Sequence, residues 1–162
     1  MDLESVGVFG HSFGGAVSVQ FCRDDPRCMA GLHIDGAPYG DVVITGLNKP
    51  FLFVLSDHGD ELERADDEIL RRGQGIADGL SNWPTQVTFE GSGHFNFSDQ
   101  ALLKERFVSR LFGALGPMGE RRVLSATADY VRAFFDIHLR GNPSDLLTGL
   151  SDRYPEARVE PR

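Results

Sequence analysis

The residues of this chain whose types and spacing could do chemistry begin with Gly10-His11-Ser12-Phe13-Gly14, a GxSxG pattern near the N-terminus. A serine in that pattern is a nucleophile when a strand precedes it and a helix follows. The turn between them is then so sharp that the hydroxyl stands exposed at the end of a sheet. Gly10 and Gly14 are expected to bracket it because the flanking positions must lack bulk. Such a serine needs an acid and a histidine later in the chain, in the order Ser, Asp/Glu, His. Asp35, Asp57 and His94 stand downstream in that order.

Four apolar runs supply the strands that must position these groups. Val6-Gly7-Val8-Phe9 leads into the serine, and residues 16–23 after it carry helical apolar spacing. Residues 28–34 run into Asp35-Gly36, residues 51–55 into Ser56-Asp57, and residues 86–89 into Gly91-Ser92-Gly93-His94. Continuous rather than alternating apolar runs predict strands buried on both faces, as in a parallel sheet. The spacing predicts helices over 63–80, over 99–115 behind a capping Ser98, and over 120–140. The last carries an apolar set of Val123, Leu124, Thr127, Ala128, Val131, Phe134 and Phe135, with Gly141 and Pro143 as its stop. Residues 146–162 read as a tail, a short packed turn and then a loose end.

Right-handed crossovers lay such strands side by side in chain order, so Ser12, Asp35, Asp57 and His94 all fall on the carboxyl edge of the sheet. With strands about 4.8 Å apart, Asp35 sits one strand from Ser12, Asp57 two, and the base of the His94 loop about 14 Å away. That loop must fold back across the edge. Gly91 and Gly93 give it the freedom to do so, and the spacing leaves either aspartate within reach of the imidazole.

Composition sets the limits. A chain of 162 residues makes one domain, able to bury about 70% of its unfolded surface. A formal charge of −8, with the basic residues scattered, argues against nucleic acid or an anionic membrane as partner. No apolar stretch is long enough to span a bilayer, and Met1-Asp2-Leu3-Glu4 does not open a signal peptide, so the cytoplasm is the expected location. Cys22 and Cys28 read as two buried thiols, with a disulfide across the intervening loop as the alternative. His33 is expected as a hydrogen-bonded core residue, and His138 as a complement to the dipole at its helix end. Asp57, Asp60, Glu61, Asp66, Asp67 and Glu68 lack EF-hand spacing and read as a solvated acidic loop rather than a metal site. Phe13, Tyr39, Phe95 and Phe97 flank the candidate groups, either lining an acyl pocket or simply packing.

The segments GHSFGGA at 10–16, DPRCMAGLHIDG at 25–36, KPFLFVLSD at 49–57 and GSGHFNFSD at 91–99 resemble the platelet-activating factor acetylhydrolase family of α/β-hydrolases. YVRAFFDIHLRG at 130–141 resembles the closing helix of the same bacterial relatives. The resemblance implies an α/β fold, the C-terminal part of an α/β-hydrolase with about four parallel strands and flanking helices. It occupies residues 1–145, starting at the elbow strand. The implied acid is Asp35; in most other α/β-hydrolases it follows the next strand, at Asp57. The implied chemistry is carboxylic-ester hydrolysis through an acyl-enzyme. His94 takes the Ser12 proton, Asp35 fixes the imidazole, and the backbone N–H of Phe13 is one oxyanion donor. The second donor in this superfamily comes from a loop upstream of the elbow, where only eleven residues precede Ser12. No metal or cofactor is implied, and the substrate is a small or lipid-like ester. The alternative is a non-catalytic fragment or interaction domain that keeps this half of the fold. In either case Val6 to Phe9 is expected to form a sheet edge open to self-association.

Overall fold

The computed structural model describes residues 2–57, 76, 86–99, 102, 115–149 and 151–160. The expected helices over 63–80 and 99–115, and the acidic residues beyond Asp57, lie almost wholly outside the described residues. β1 (Val6–His11) leads through Ser12 into α1 (Phe13–Asp24), followed by β2 (Cys28–Ile34) and a single turn, α2 (Val42–Thr45). Then come β3 (Phe51–Ser56), β4 (Gln86–Phe89), α3 (Glu120–Arg140) and β5 (Ala157–Glu160).

The sheet runs β1-β2-β3-β4-β5, with the first four strands parallel and in chain order, as their apolar runs predict. Side chains alternate across β2 and β3 and build two cores. Leu32, Ile34, Leu52 and Val54 face α3, while Phe51 and Phe53 face the α1 side with Val19, Cys22 and Val42. On α3 the buried stripe is Val123, Ala126, Thr127, Tyr130, Ala133 and Phe134, whereas Ala128 is exposed. The stripe follows the same spacing as expected, rotated toward Tyr130, whose ring meets Phe89 and Tyr154. Among the described residues, no helix is long and apolar enough to cross a membrane.

The structure corrects two expectations about the chain's covalent and terminal parts. Cys22 and Cys28 form a disulfide rather than two free thiols. The turn at Asp25-Pro26-Arg27 returns the chain from α1 to β2 and brings their Cα atoms to 5.0 Å, inside the range a disulfide spans. The tail is not a loose end. Residues 157–160 pair antiparallel with β4, Val87 opposite Val159, so the sheet has a fifth strand. Its alternating Ala-Arg-Val-Glu pattern, buried and exposed in turn, is that of a strand with one face on the core. Tyr154 anchors the approach to it, its hydroxyl on Asp129 and the guanidinium groups of Arg122 and Arg153 over its ring.

Candidate active site

Ser12 occupies the turn between β1 and α1 with φ 57° and ψ −122°, a conformation that side-chain-bearing residues seldom adopt. Ser12 and Asp35 (φ 43°) are the two non-glycine residues with positive φ among the described residues. Strain of order 1–3 kcal/mol each is typical of such residues, and they concentrate at functional sites. The Ser12 N–H donates to the Ile34 carbonyl, and its own carbonyl accepts from Gly15 N–H, so the turn is locked at both ends.

Close packing explains the glycines, though not the pair expected. A Cβ on Gly10 would lie 2.3 Å from the backbone of Gly14, and one on Gly15 would lie 2.8 Å from the His33 ring and 3.0 Å from the Gly10 carbonyl. A Cβ on Gly14 meets nothing within 4 Å among the described residues. The steric demand therefore falls on Gly10 and Gly15, because Gly14 faces outward from the first turn of α1. That first turn also leaves backbone N–H groups without helical partners, the Phe13 N–H among them.

Asp35 follows β2 and is 2% exposed. A carboxylate this deeply buried requires hydrogen-bond partners, and it has them. Oδ1 accepts from the Ser56 N–H at 2.7 Å and from the Ser56 hydroxyl at 2.8 Å, and Oδ2 lies 2.8 Å from Nδ1 of His94. Facing a carboxylate, Nδ1 is the protonated nitrogen and Nε2 carries the lone pair. His94 opens a 3₁₀ turn, His94–Phe97, and its side chain is about one-third exposed (34%). The loop before it crosses back over β3, as the strand spacing requires, with Gly91 at φ 71°. No hydrogen bond joins Ser12 Oγ to His94 among the described residues, a separation common in sites without substrate.

Asp57 stands elsewhere in the same assembly. Its Oδ2 accepts from the Gly91 N–H at 2.9 Å, and its own N–H donates to the Ser92 carbonyl. It ties down the loop that carries His94 and does not meet the imidazole. Two further anchors escaped sequence reasoning. Buried Asn96 takes the N–H groups of Gly93 and Gly116 on its Oδ1, at 2.8 and 2.7 Å. His11 reaches the His94 carbonyl with Nε2 at 3.0 Å. Only the position of His11 beside Ser12 could have signalled its part; nothing in the sequence marks Asn96.

The remaining aromatics and histidines divide by burial. Phe97 is core, near Phe89, and Phe95 meets the His94 ring edge-on. Phe13 and Tyr39 are exposed and line a shallow cleft of about 830 Å³ along α1, with Val17 and Phe21. His33 is fully buried against Phe53, and among the described residues neither ring nitrogen has a hydrogen-bond partner outside its own residue, contrary to the expected bonded core histidine. Desolvation moves its pKa down to about 4, the nearby Asp35 carboxylate only partly offsetting this. His138 is half-buried against Phe134, and burial lowers its pKa. Among the described residues, no group of three or more His, Cys, Asp or Glu side chains could hold a metal ion.

The parallel sheet, the strained serine turn and the sites along its carboxyl edge define an α/β-hydrolase fold. Residues 1–144 match the family of platelet-activating factor acetylhydrolase, isoform II, and the chain belongs to that family. It is 29% identical over 167 residues to a probable 1-alkyl-2-acetylglycerophosphocholine esterase of Arthroderma benhamiae. It is 27% identical over 141 residues to platelet-activating factor acetylhydrolase of Bos taurus. These alignments cover 93% and 86% of this chain, and 42% and 30% of the relatives. Among solved structures it is similar to a ferulic acid esterase from Streptomyces cinnamoneus, with 32% identity and a TM-score of 0.82. That similarity covers 98% of this chain and 47% of the other. The chain thus spans less than half the length of these relatives.

Proposed function

We propose that the chain carries the nucleophile, base and acid of a serine carboxylic-ester hydrolase acting on small or lipid-like esters. The observation that supports it best is the 2.8 Å contact between His94 Nδ1 and Asp35 Oδ2, on the same sheet edge as the strained Ser12 turn. In this reading Nε2 of His94 accepts the Ser12 proton as Oγ attacks the ester carbonyl. The carboxylate of Asp35 holds the other ring nitrogen protonated and stabilises the imidazolium that forms. The Phe13 N–H donates to the developing oxyanion, and His94 returns its proton to the departing alcohol. Water, deprotonated by the same imidazole, then hydrolyses the acyl-enzyme and restores Ser12. The esters named for the relatives support a carboxylic-ester substrate here.

Labelling by a fluorophosphonate tests the reading. Wild type should be labelled, Ser12→Ala should not, and His94→Ala should be slower by at least about 10³-fold. Equal labelling of wild type and Ser12→Ala would remove Ser12 from its role. A second reading, an interaction domain built on this half of the fold, draws on one observation. β1 pairs with β2 alone, and its outer edge has no strand partner among the described residues. That edge also supports association with a further strand, from a second copy of the chain, in an active hydrolase.

A further inference from the structure

His11 closes β1 and immediately precedes Ser12, yet it interacts with the other end of the constellation. Its Nε2 lies 3.0 Å from the backbone carbonyl oxygen of His94, and the two rings stack at a tilt of 37° with centroids 4.7 Å apart. A carbonyl oxygen only accepts, so Nε2 of His11 is the protonated nitrogen. Phe97, from the same 3₁₀ turn as His94, stands against the ring at 6.1 Å.

The His94 loop needs such anchors. It leaves β4, crosses over β3 and delivers an imidazole to the end of β2, through a segment containing Gly91 and Gly93 that loses more conformational freedom on ordering than other residues do. Besides the Asp57 contacts at its base, three side chains hold its tip among the described residues: Asp35 on the ring nitrogen, Asn96 on the Gly93 N–H, and His11 on the His94 carbonyl. Asp35 ties the imidazole to β2, and Asn96 ties the loop to itself and to Gly116. Of the three, His11 alone belongs to the strand that ends in the nucleophile. Its bond spans 83 residues of sequence.

We propose that His11 is a positioning residue: its Nε2–H bond to the His94 carbonyl sets the distance between base and nucleophile. This rests on the roles given above to Ser12 and His94. The charge state suits the task. Burial first, and the neighbouring His94 second, lower the pKa of His11, while the His94 carbonyl and the Asp35 carboxylate act in the opposite sense. His33, on β2, is a further titratable group that faces it among the described residues. A neutral His11 places no charge against the imidazolium that His94 becomes when it takes the serine proton.

Two variants separate the hydrogen bond from the ring. His11→Phe keeps an aromatic surface and loses the donor; His11→Gln keeps an N–H donor and loses the ring. Two readouts follow each variant: the rate of fluorophosphonate labelling of Ser12, and solvent exchange of the His94 Nδ1 proton by NMR of ¹⁵N-labelled protein. His11→Phe should be labelled about 10- to 100-fold more slowly, the range that a sub-ångström to ångström displacement of a reacting group produces. Its Nδ1 proton should exchange at least about 10-fold faster than wild type, because a displaced imidazole leaves Asp35. His11→Gln should recover both quantities to within about 3-fold, since one retained donor restores the positioning contact. Thermal melts by circular dichroism establish folding, and His11→Leu replaces His11→Phe if the latter does not fold. Unchanged proton exchange and labelling in the donor-less variant overturn the proposal, as does a folded His11→Gln no better than His11→Phe. If His94→Ala labels as fast as wild type, the base assignment fails instead, and proton exchange in His11→Phe still decides whether His11 positions the ring.

Discussion

At the scale of single residues, Asp35 and Asp57 are chemically identical and differ in what surrounds them. Asp35 is enclosed, with two donors from Ser56 and a third from His94, while exposed Asp57 caps Gly91. An asparagine at 57 keeps an oxygen to accept the Gly91 N–H; one at 35 offers an amide where the imidazole needs a carboxylate. Asp35→Asn should lower turnover by around 10⁴-fold through the wrong tautomer, and Asp57→Asn by less than about 10-fold, since it retains the acceptor. Steady-state rates on a p-nitrophenyl ester compare the two, and the reverse ranking would move the acid to Asp57. His33 makes a second residue-scale prediction. Its pKa is about 4 when folded against an ordinary 6.5, so between those values the unfolded chain binds the extra proton. Stability is then complete above pH 6.5 and falls as pH drops toward 4, by about 3 kcal/mol from this group. Urea titrations across that window should show a steeper acid loss for wild type than for His33→Leu; parallel curves would show that His33 does not govern it.

At the scale of the element, α1 is set by its contact with β1 and β2 more than by helix propensity. It contains Gly14 and Gly15, which cost a helix about 1 kcal/mol each relative to alanine. Among the described residues, only Gly15 has a reason in the packing, wedged between the His33 ring and the Gly10 carbonyl. Gly14→Ala should therefore leave stability unchanged or raise it by up to about 1 kcal/mol. Gly15→Ala should lower it, by about 1–3 kcal/mol, as overpacking against a closed core does. Chemical denaturation of the two variants checks the contrast, and equal effects would mean that the elbow does not distinguish them. The disulfide at the other end of α1 joins the helix to the start of β2, so both ends of this βαβ unit are held to the sheet.

At the scale of the whole molecule, the two edges of the sheet differ. β5 covers β4 with an antiparallel strand, whereas among the described residues β1 pairs with β2 alone, beside an exposed Phe9. An open apolar edge is a template for pairing. For the 162-residue chain by itself we propose self-association over micromolar concentrations, measured as a concentration-dependent mass in sedimentation equilibrium. Phe9→Lys should shift it toward monomer, because a charge on an edge strand opposes pairing. A wild type that remains monomeric throughout that range would count against β1 as the associating edge.

Much of this arrangement was legible in the sequence because it is local. Strands β2 and β4 span the very residues of their apolar runs, and α3 begins and ends at the expected positions, since periodicity and a terminal glycine act within a few residues. Parallel strands in chain order then brought Ser12, Asp35, Asp57 and His94 to one edge without any knowledge of tertiary contacts. What the sequence left open depended on partners far apart in the chain. Which aspartate meets His94 turns on how a glycine-containing loop crosses β3. Which glycine beside Ser12 is sterically required turns on the His33 ring. The last strand is only four residues long and half polar, so it becomes recognisable as a strand through its pairing with β4. The hold of His11 on His94 spans 83 residues. Spacing along the chain carries no record of such a contact, because it exists only once the sheet has assembled and the loop has folded back over its edge.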